Sequence, residues 1–351
     1  MEGYLLLADG LKAEGTLVGS PKTAIGWLVA NTAVVGFQEM ATDPTYGGAI
    51  LTFTYPEVGN VGVAGRFSES PRVQVEGMVV KVLSEYRSHY LSEEDFSSML
   101  AKEGVPCLVG IDTRAVAVHL REAGEMAAAI GPVHADAEAL GKRLAERQRP
   151  EFRATTTATT SSEGSGPKVA VIDLGIRRSL LEQLNACCTV LSFPAHANAA
   201  SILGASPAGV FISDGPATCL PPREAIETVR ALMGRVPLLG CGLGHVTLGM
   251  AAGCEPAFLR RGHHGANYPV RNVADGTVEV THQRHSVALD RQSVLDADRV
   301  GLLCENVNDE TVEGILAADG SAVGLQETLA APRPGLVNAH IERFVVGLGR
   351  G

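Results

Sequence analysis

The stretch VPLLGCGLGHVTLGMAAG, residues 236–253, carries an apolar run through a glycine-rich turn into a second apolar segment. A short apolar run that ends at such a turn predicts a buried strand, here over 236–240, and the residues after the turn predict a helix over 245–253. The glycine spacing in GCGLG is that of a sharp strand-to-helix elbow, which holds the residue at its tip beneath backbone N–H groups. An ordinary tight turn has the same glycine pattern, so the flanking sequence has to support the interpretation.

The chain before this elbow alternates between strand and helix patterns. Apolar runs predict strands over 168–175, 189–195 and 209–215. A helical pattern follows each of them, over 177–185, 198–203 and 221–234. Such alternation predicts a parallel sheet with helices on both faces. Ligands bind these sheets at the carboxyl ends of the strands, so we expect the loops 214–219 and 240–245 to border a site.

Residues 150–167, PEFRATTTATTSSEGSGP, are rich in Thr, Ser and Gly and lack apolar periodicity. This composition is typical of a linker or a surface loop. Before it, short β-type runs alternate with turns and with helical patterns at Ser92–Glu103 and Asp112–Ala123. The sequence therefore predicts an α/β domain over 1–150, a linker over 151–167 and a second α/β domain over 168–351.

Composition excludes several classes of protein. The 351 residues are 45% hydrophobic, which favours a compact fold of about two domains. A net charge of -10 argues against nucleic-acid and anionic-membrane surfaces, which need basic patches. Seven cysteines without a C-x-x-C pair predict neither a disulfide framework nor a zinc site, and no motif calls for a metal or a cofactor. The start, MEGYLLLADG, indicates neither a signal peptide nor an anchor, and we expect a cytoplasmic protein.

Several motifs resemble one known family. GCGLGHV (240–246) resembles the G-x-C-L-G-H-Q elbow of class I glutamine amidotransferases, and SDGPA (213–217) resembles their oxyanion-loop motif S-N-G-P-G. Four further blocks are similar to the carbamoyl phosphate synthetase small subunit: 31–62, GIDTRAVAVHLREAG (110–124), IDLGIRRSLLEQL (172–184) and GHHGANYPV (262–270). The chain is identified as a member of that family over nearly its whole length. The resemblance implies a small-subunit N-terminal α/β domain followed by a flavodoxin-like amidotransferase domain with a mostly parallel sheet.

The resemblance also implies that the residues that split glutamine are absent. In the family the third residue of the elbow is a cysteine, activated by a histidine that a glutamate orients; here this position is Gly242. Cys241 stands one residue earlier, and neighbouring side chains near a strand end point to opposite faces. We therefore predict that Cys241 lies in the core and does not act as a nucleophile.

Two alignments remain for the histidine and the glutamate. Without gaps, the family's Q-x-H-P-E segment falls on 326–330, so that Thr328 replaces the base and Ala330 its orienting partner. The other alignment uses His340 and Glu342, which keep the H-x-E spacing but require a long insertion. We favour the first alignment, because HIERFVVGL is typical of the family's last helix, and leave open whether His340 and Glu342 take over the lost roles.

Other positions of the glutamine pocket differ from the family as well. Gly47 occupies the position of a serine in the family, Val246 that of a glutamine, and Ala217 that of the second glycine of the oxyanion loop. On the segment 284–287, Arg284 replaces an asparagine, Ser286 a glycine and Val287 a phenylalanine. A site whose polar groups are replaced loses its hydrogen bonds to a polar substrate, and the binding free energy weakens by roughly several kcal/mol. The candidate substrate-binding residues are Gly47, Gly215, Gly242, Leu243, Val246, Ser286 and Val287.

Five residues are candidates for catalysis. Arg284 is either a clamp on an anionic group or a solvated, salt-bridged arginine. His285 lies in the cluster THQRHSVALD (281–290), and His245 is retained at the elbow. Glu327 can serve as a general base, although most glutamates in such loops are solvated, and Thr328 donates a hydrogen bond or fills space.

Three hypotheses follow. The first, which we favour, is an enzyme repurposed for specialised metabolism that performs non-covalent acid–base chemistry (a cyclase, lyase or hydrolase) on a small anionic, partly apolar molecule in the former glutaminase site. The second is a non-catalytic docking or regulatory subunit for a large synthetase-type subunit. The third is a glutaminase that works through Cys241. The partners that we expect are a small-molecule ligand and either such a large subunit or further copies of the chain in a homo-oligomer. The sequence specifies neither the substrate nor the reaction.

Overall fold

The computed structural model describes residues 1–162 and 164–349. The chain divides into two compact units, one formed by 1–150 with 260–265 and the other by 151–259 with 266–351. The segment 260–265 lies inside the range predicted as the second domain, and the sequence did not indicate that it belongs with the first. Over the described residues, each helix is too short or too polar to cross a membrane.

The first unit is a mixed α/β structure. Its strands are β1 (Glu2–Leu7), β2 (Lys12–Gly19), β3 (Ala24–Asn31), β4 (Ala49–Phe53), β5 (Glu57–Val58), β6 (Gly77–Val80), β7 (Val82–Leu83), β8 (Pro106–Val109) and β9 (Met126–Pro132). Its α-helices are α1 (Phe37–Thr42), α2 (Phe96–Lys102), α3 (Thr113–Ala123) and α4 (Ala137–Ala145). The strands β1-β2-β8-β6-β4-β3-β9 close into a barrel in that order, and β5 pairs with β7.

Local sequence explains where these elements begin. Helix α3 starts as predicted, because the Asp112 side chain accepts a hydrogen bond from the Ala115 N–H at 3.0 Å and so caps the helix. The apolar residues of β1 and β4 are buried on both faces; Leu5, Leu7 and Ile50 belong to one core cluster. The barrel is therefore stabilised mainly by apolar burial.

The second unit contains a ten-stranded sheet. Its strands are β10 (Thr160–Ser162), β11 (Lys168–Asp173), β12 (Thr189–Pro194), β13 (Gly209–Ile212), β14 (Leu238–Cys241), β15 (Pro256–Asn272), β16 (Val278–Leu289), β17 (Val300–Asn306), β18 (Val312–Ala317) and β19 (Ala322–Leu325). Its helices are α5 (Arg178–Cys187), α6 (Ala199–Gly204), α7 (Arg223–Leu232), α8 (Leu243–Ala252), α9 (Arg291–Leu295) and α10 (Ala339–Leu348).

The strand order is β10-β12-β11-β13-β14-β19-β18-β17-β15-β16. Strands β12, β11, β13, β14 and β19 run parallel, which confirms the predicted α/β fold in the half of the sheet that carries the elbow. From β19 onward β18, β17 and β15 pair antiparallel, an extension that the sequence did not predict. The carboxyl ends of the parallel strands meet at one edge, and the loops that follow them are therefore neighbours.

The predicted linker is in part structured. Strand β10 lies within it and pairs antiparallel with β12 at the edge of the sheet. The Thr189 hydroxyl donates to the Gly164 carbonyl oxygen at 2.9 Å, and the Thr189 N–H donates to the Pro167 carbonyl oxygen at 3.0 Å. Backbone pairing overrides the polar composition here, and the end of the segment belongs to the second unit.

Candidate active site

The elbow between β14 and α8 has the backbone geometry that its sequence predicted. Gly242 lies at its tip with φ 52° and ψ −118°, a conformation that residues with a side chain adopt only under strain. Its N–H donates to the Leu325 carbonyl oxygen at 2.9 Å and so continues the pairing of β14 with β19. Gly242 is a predicted substrate-binding residue, and this backbone hydrogen bond takes up its N–H. Leu243 is the first residue of α8. Its N–H has no acceptor inside the helix, because the first turn of a helix has no preceding turn to donate to.

Asp214 lies directly over the tip of the elbow. A Cβ atom added to Gly242 would be 3.0 Å from the Asp214 Cβ. The Arg177 Nε donates to Asp214 Oδ2 at 2.8 Å, and the two side chains are only 3% and 7% exposed. The Ser213 hydroxyl donates to the Asp214 carbonyl oxygen and accepts from the Leu174 N–H, which holds the SDGPA loop in place. A side chain at the tip of the elbow would therefore meet Asp214, which forms a buried ion pair with Arg177.

Cys241 is fully buried, as predicted. Its side chain packs in the core cluster that contains Val171 and Leu239. Burial raises the pKa of its thiol well above the ordinary value, and the charge of Asp214 raises it further. Because the thiolate is the reactive form, this residue is a core cysteine.

Gly242→Cys is expected to fold but to be less stable than the native chain by about 1–3 kcal/mol, because a side chain at this φ is strained and meets Asp214. Urea unfolding measures the difference. Gly301→Cys is the matched control: its Cβ would meet nothing within 4 Å and its φ is ordinary, so its stability should change by no more than about 0.5 kcal/mol. Equal stability of the two variants would contradict the account of the elbow.

The loop 326–330 follows β19, the strand next to the elbow strand. The Thr328 N–H donates to the His282 carbonyl oxygen of β16 at 2.8 Å, and the Ala330 N–H donates to the Thr328 carbonyl oxygen. Thr328 is 9% exposed. The structure thus brings this loop, the carboxyl end of β14 and β16 together at one edge of the sheet.

Glu327 and His340 meet at this loop. Glu327 Oε1 lies 3.2 Å from His340 Nε2, and the two side chains are 18% and 28% exposed. Burial raises the pKa of Glu327 to about 7, and the charges of Glu279 and Glu313 act in the same direction. Burial lowers the pKa of His340, with a further contribution from Arg343. The histidine of the H-x-E pattern therefore contacts Glu327, while Glu342 is exposed on α10.

A raised carboxyl pKa makes stability fall with pH. The folded state retains the Glu327 proton up to about pH 7, whereas the unfolded chain loses it near its ordinary pKa. Stability is therefore lost as pH rises from about 4.5 to about 7. Glu327→Gln should unfold with a free energy higher than that of the native chain by roughly 1–3 kcal/mol at pH 8 and equal to it near pH 4.5. Urea titrations at the two pH values measure this; the same difference at both would contradict the raised pKa.

Cationic groups border the same loop. Burial lowers the pKa of His282, and the positive charges of Arg284 and Arg177 lower it further. Arg284 is half-buried on β16. A neutral imidazole therefore lies beside the positive charges of Arg284 and Arg177, which favour anions, while the negative charges of Glu279 and Glu313 act on Glu327 of the same loop.

Three predicted site residues lie in the core instead. Val246 is fully buried and Val287 is 2% exposed, and both belong to the main apolar cluster of this unit. His245 is also fully buried, and burial lowers its pKa to about 4, so its ring is neutral. The two residues of α8, His245 and Val246, are enclosed because this helix is buried over almost its whole length.

His285, Ser286 and Gly215 are enclosed as well. His285 is 3% exposed, with Nδ1 3.1 Å from the Val287 carbonyl oxygen and Nε2 3.2 Å from Gln283 Oε1. Ser286 is fully buried, and its N–H donates to the Ala217 carbonyl oxygen. A Cβ on Gly215 would lie 2.6 Å from the Leu174 carbonyl oxygen, so this glycine permits close packing of the loop. In the first unit, the Gly47 N–H closes a turn by donating to Pro44.

Sequence reasoning missed two side-chain pairs, Arg177–Asp214 and Glu327–His340. The aspartate in SDGPA, where the family motif has asparagine, was the available signal for the first pair. The second pair joins a loop to a helix 13 residues later, and no local pattern indicated it.

Comparison with known proteins agrees with the two units. The profile of the carbamoyl-phosphate synthase small chain, CPSase domain, matches residues 5–130, and that of glutamine amidotransferase class-I matches 170–326. The carbamoyl phosphate synthase small chain of Listeria innocua is 36% identical over 97% of this chain and 95% of its own, and that of Methanopyrus kandleri is 38% identical over 93% of each. A solved glutamine amidotransferase from Thermotoga maritima is 15% identical, covers 52% of this chain and 93% of its own, and has a TM-score of 0.36.

The parallel sheet with its glycine elbow, together with the match of the amidotransferase profile to 170–326, defines the second unit as a class I glutamine amidotransferase domain. The sequence identity of 36–38% to the two small chains extends over both units and not over the amidotransferase domain alone. The chain belongs to the carbamoyl phosphate synthase small chain family.

Proposed function

We propose that the second unit performs non-covalent acid–base chemistry on a small anionic molecule at the carboxyl ends of β14 and β19, and does not hydrolyse glutamine through a cysteine. One observation carries the proposal. The tip of the elbow is a glycine, and the neighbouring Cys241 is fully enclosed with a raised thiol pKa. A covalent amidase route needs an exposed, activated nucleophile at that tip.

The groups that remain at this edge suit proton transfer. A general acid or base works best when its pKa is near the working pH, and the pKa of Glu327 is about 7. Removing a proton from a substrate leaves negative charge, which Arg284 stabilises. Chemistry of this kind serves cyclisation, elimination and hydrolysis. Since Val246 and Val287 lie in the core, the apolar part of the predicted substrate has no support from them.

The first experiment asks whether the purified protein releases ammonia from L-glutamine. We expect no release above that of a Cys241→Ser variant, because the buried thiol is neither ionised nor accessible. Cys254→Ser, which alters another buried cysteine, is the control for general damage. Ammonia release that is lost in Cys241→Ser and retained in Cys254→Ser would overturn the proposal.

The second experiment tests the anionic ligand with acetate, succinate and inorganic phosphate as probes in calorimetric titration. We expect at least one probe to bind and Arg284→Gln to weaken it by about tenfold or more, since a charge-assisted hydrogen bond contributes about 1.5–3 kcal/mol. Arg235→Gln, at an exposed position of the same unit, should bind as the native chain does. Equal binding by both variants, or no binding of any probe by the native protein, would contradict the role of Arg284.

A second candidate function rests on the first unit. Its match to the small-chain CPSase domain covers 5–130, and relatives with the same two-domain length are named small chains. We propose that this unit can dock a large synthetase-type chain. Co-expression with the large chain from the same genome, followed by size-exclusion chromatography, tests this: co-elution supports docking, and separate elution contradicts it.

A further inference from the structure

Helix α10 is fastened to the loop that carries Glu327. Gln183 of α5, 5% exposed, donates from Nε2 to the Leu329 carbonyl oxygen and accepts from the Asn338 N–H at 2.9 Å. The Asn338 Nδ2 donates to the Ala330 carbonyl oxygen at 3.1 Å. Three elements of the second unit are thereby joined by side-chain-to-backbone hydrogen bonds. The relative positions of this loop and the amino end of α10 are therefore well determined.

This arrangement orients His340. Its N–H donates to Asn338 Oδ1 at 2.9 Å, which caps the helix, and its ring reaches Glu327. The two side chains retain 18% and 28% of their exposure, enough for proton exchange with a small molecule. A buried structural ion pair, such as Arg177 with Asp214 at 3% and 7%, does not keep such access.

We propose that Glu327 and His340 form an acid–base dyad that holds a single proton and acts as the proton-transfer unit of this site. The substrate class is a small molecule with an acidic C–H, N–H or O–H group. The catalytic role of the dyad rests on the proposed function, whereas the coupling between Glu327 and His340 does not.

The surroundings disfavour both charged forms. Glu279 on β16 and Glu313 on β18 oppose ionisation of Glu327. Arg343 on α10 opposes protonation of His340, the positive end of the α10 dipole does the same, and Glu279 favours it. Two forms of the dyad hold a single proton: one has the proton on Glu327 beside a neutral imidazole, and the other has a carboxylate beside an imidazolium. Burial penalises the second form, and Coulomb attraction between its two charges favours it.

Proton transfer by the dyad balances without any further reactant. The Glu327 carboxylate accepts the proton of the substrate X–H bond, and X keeps the electron pair. The dyad starts with its single proton on His340, and the imidazolium donates that proton to a second atom of the substrate. The proton gained by Glu327 then passes to His340 Nε2, which lies 3.2 Å from Glu327 Oε1. The dyad ends in its starting state.

Nuclear magnetic resonance of the full-length protein, labelled with carboxyl-13C glutamate and 15N histidine, tests the dyad between pH 5 and 9. We expect the Glu327 carboxyl and the His340 ring to titrate together near neutral pH. In Glu327→Gln the proton affinity of His340 should fall by about tenfold or more, the criterion for coupled sites. In Glu342→Gln, which alters the exposed acid of the same helix turn, it should not change.

An unchanged His340 titration in Glu327→Gln would overturn the dyad. If that variant does not fold, His340→Gln provides the same test from the carboxyl side: a Glu327 titration that stays as in the native protein overturns the dyad, and a shift supports it. Coupled titration without binding of acetate, succinate or phosphate would leave the dyad standing and contradict the proposed function. Independent titration with probe binding intact would contradict the dyad alone.

Discussion

Gly244→Ala is expected to destabilise the second unit by about 3 kcal/mol, at the upper end of what overpacking does. Gly244 is the second residue of α8, where the helix passes against the end of β13. A Cβ atom there would overlap the Ile212 carbonyl oxygen and lie 2.7 Å from the Ser213 carbonyl oxygen. These are backbone atoms of the last residue of β13 and of the residue that follows it, and no rotamer change can relieve the contact.

Urea unfolding followed by far-UV circular dichroism measures this loss. Trp27, the single tryptophan of the chain, lies in β3 of the first unit, so its fluorescence reports that unit separately. Gly347→Ala is the matched control, because Gly347 lies within α10 and its Cβ would meet nothing within 4 Å. That variant should be stabilised by up to about 1 kcal/mol through helix propensity. Similar stabilities of the two variants would show that close approach at the elbow is not needed.

Asp214→Ala should reduce the free energy of unfolding by about 3–5 kcal/mol, because it leaves the Arg177 guanidinium buried without its carboxylate. Replacing both residues, as Arg177→Met with Asp214→Leu, should recover much of the loss, since two well-packed apolar side chains carry no charge into the interior. Thermal and urea unfolding of the single and double variants measure the coupling between the two residues.

Arg223 and Glu227 provide the comparison for this pair. Their side chains form an ion pair of 2.7 Å on α7 and are 88% and 52% exposed. Glu227→Ala should therefore cost less than about 1 kcal/mol. If Asp214→Ala costs no more than Glu227→Ala, burial does not govern the strength of the pair.

Much of the second unit follows from its local sequence. The apolar runs that end at 175, 195, 215 and 240 form strands, because each is bounded by glycine or proline and is the right length to cross a sheet. The position of Cys241 in the core also follows from strand alternation. The antiparallel strands β15 to β18 were not predicted, since their register depends on pairing between distant segments.

The candidate site was harder to predict than the fold. Similarity of motifs placed His245, Val246 and Val287 near a ligand, but exposure depends on what packs around α8 and β16, and the structure buries all three. Arg177 and Asp214 are 37 residues apart in sequence, so their contact appears only once β11 and β13 are adjacent. A pKa such as that of Glu327 likewise depends on burial and on charges from β16 and β18.

The sequence by itself determined the family, the order of strands and helices around the elbow, and the absence of a side chain at its tip. These are properties of single segments, and local pattern and residue identity suffice for them. Only the tertiary structure decided which ionisable groups meet at the edge of the sheet and which are enclosed in the core. Burial and Coulomb interactions act between residues that are distant along the chain, and their strength is set by the distances that folding creates.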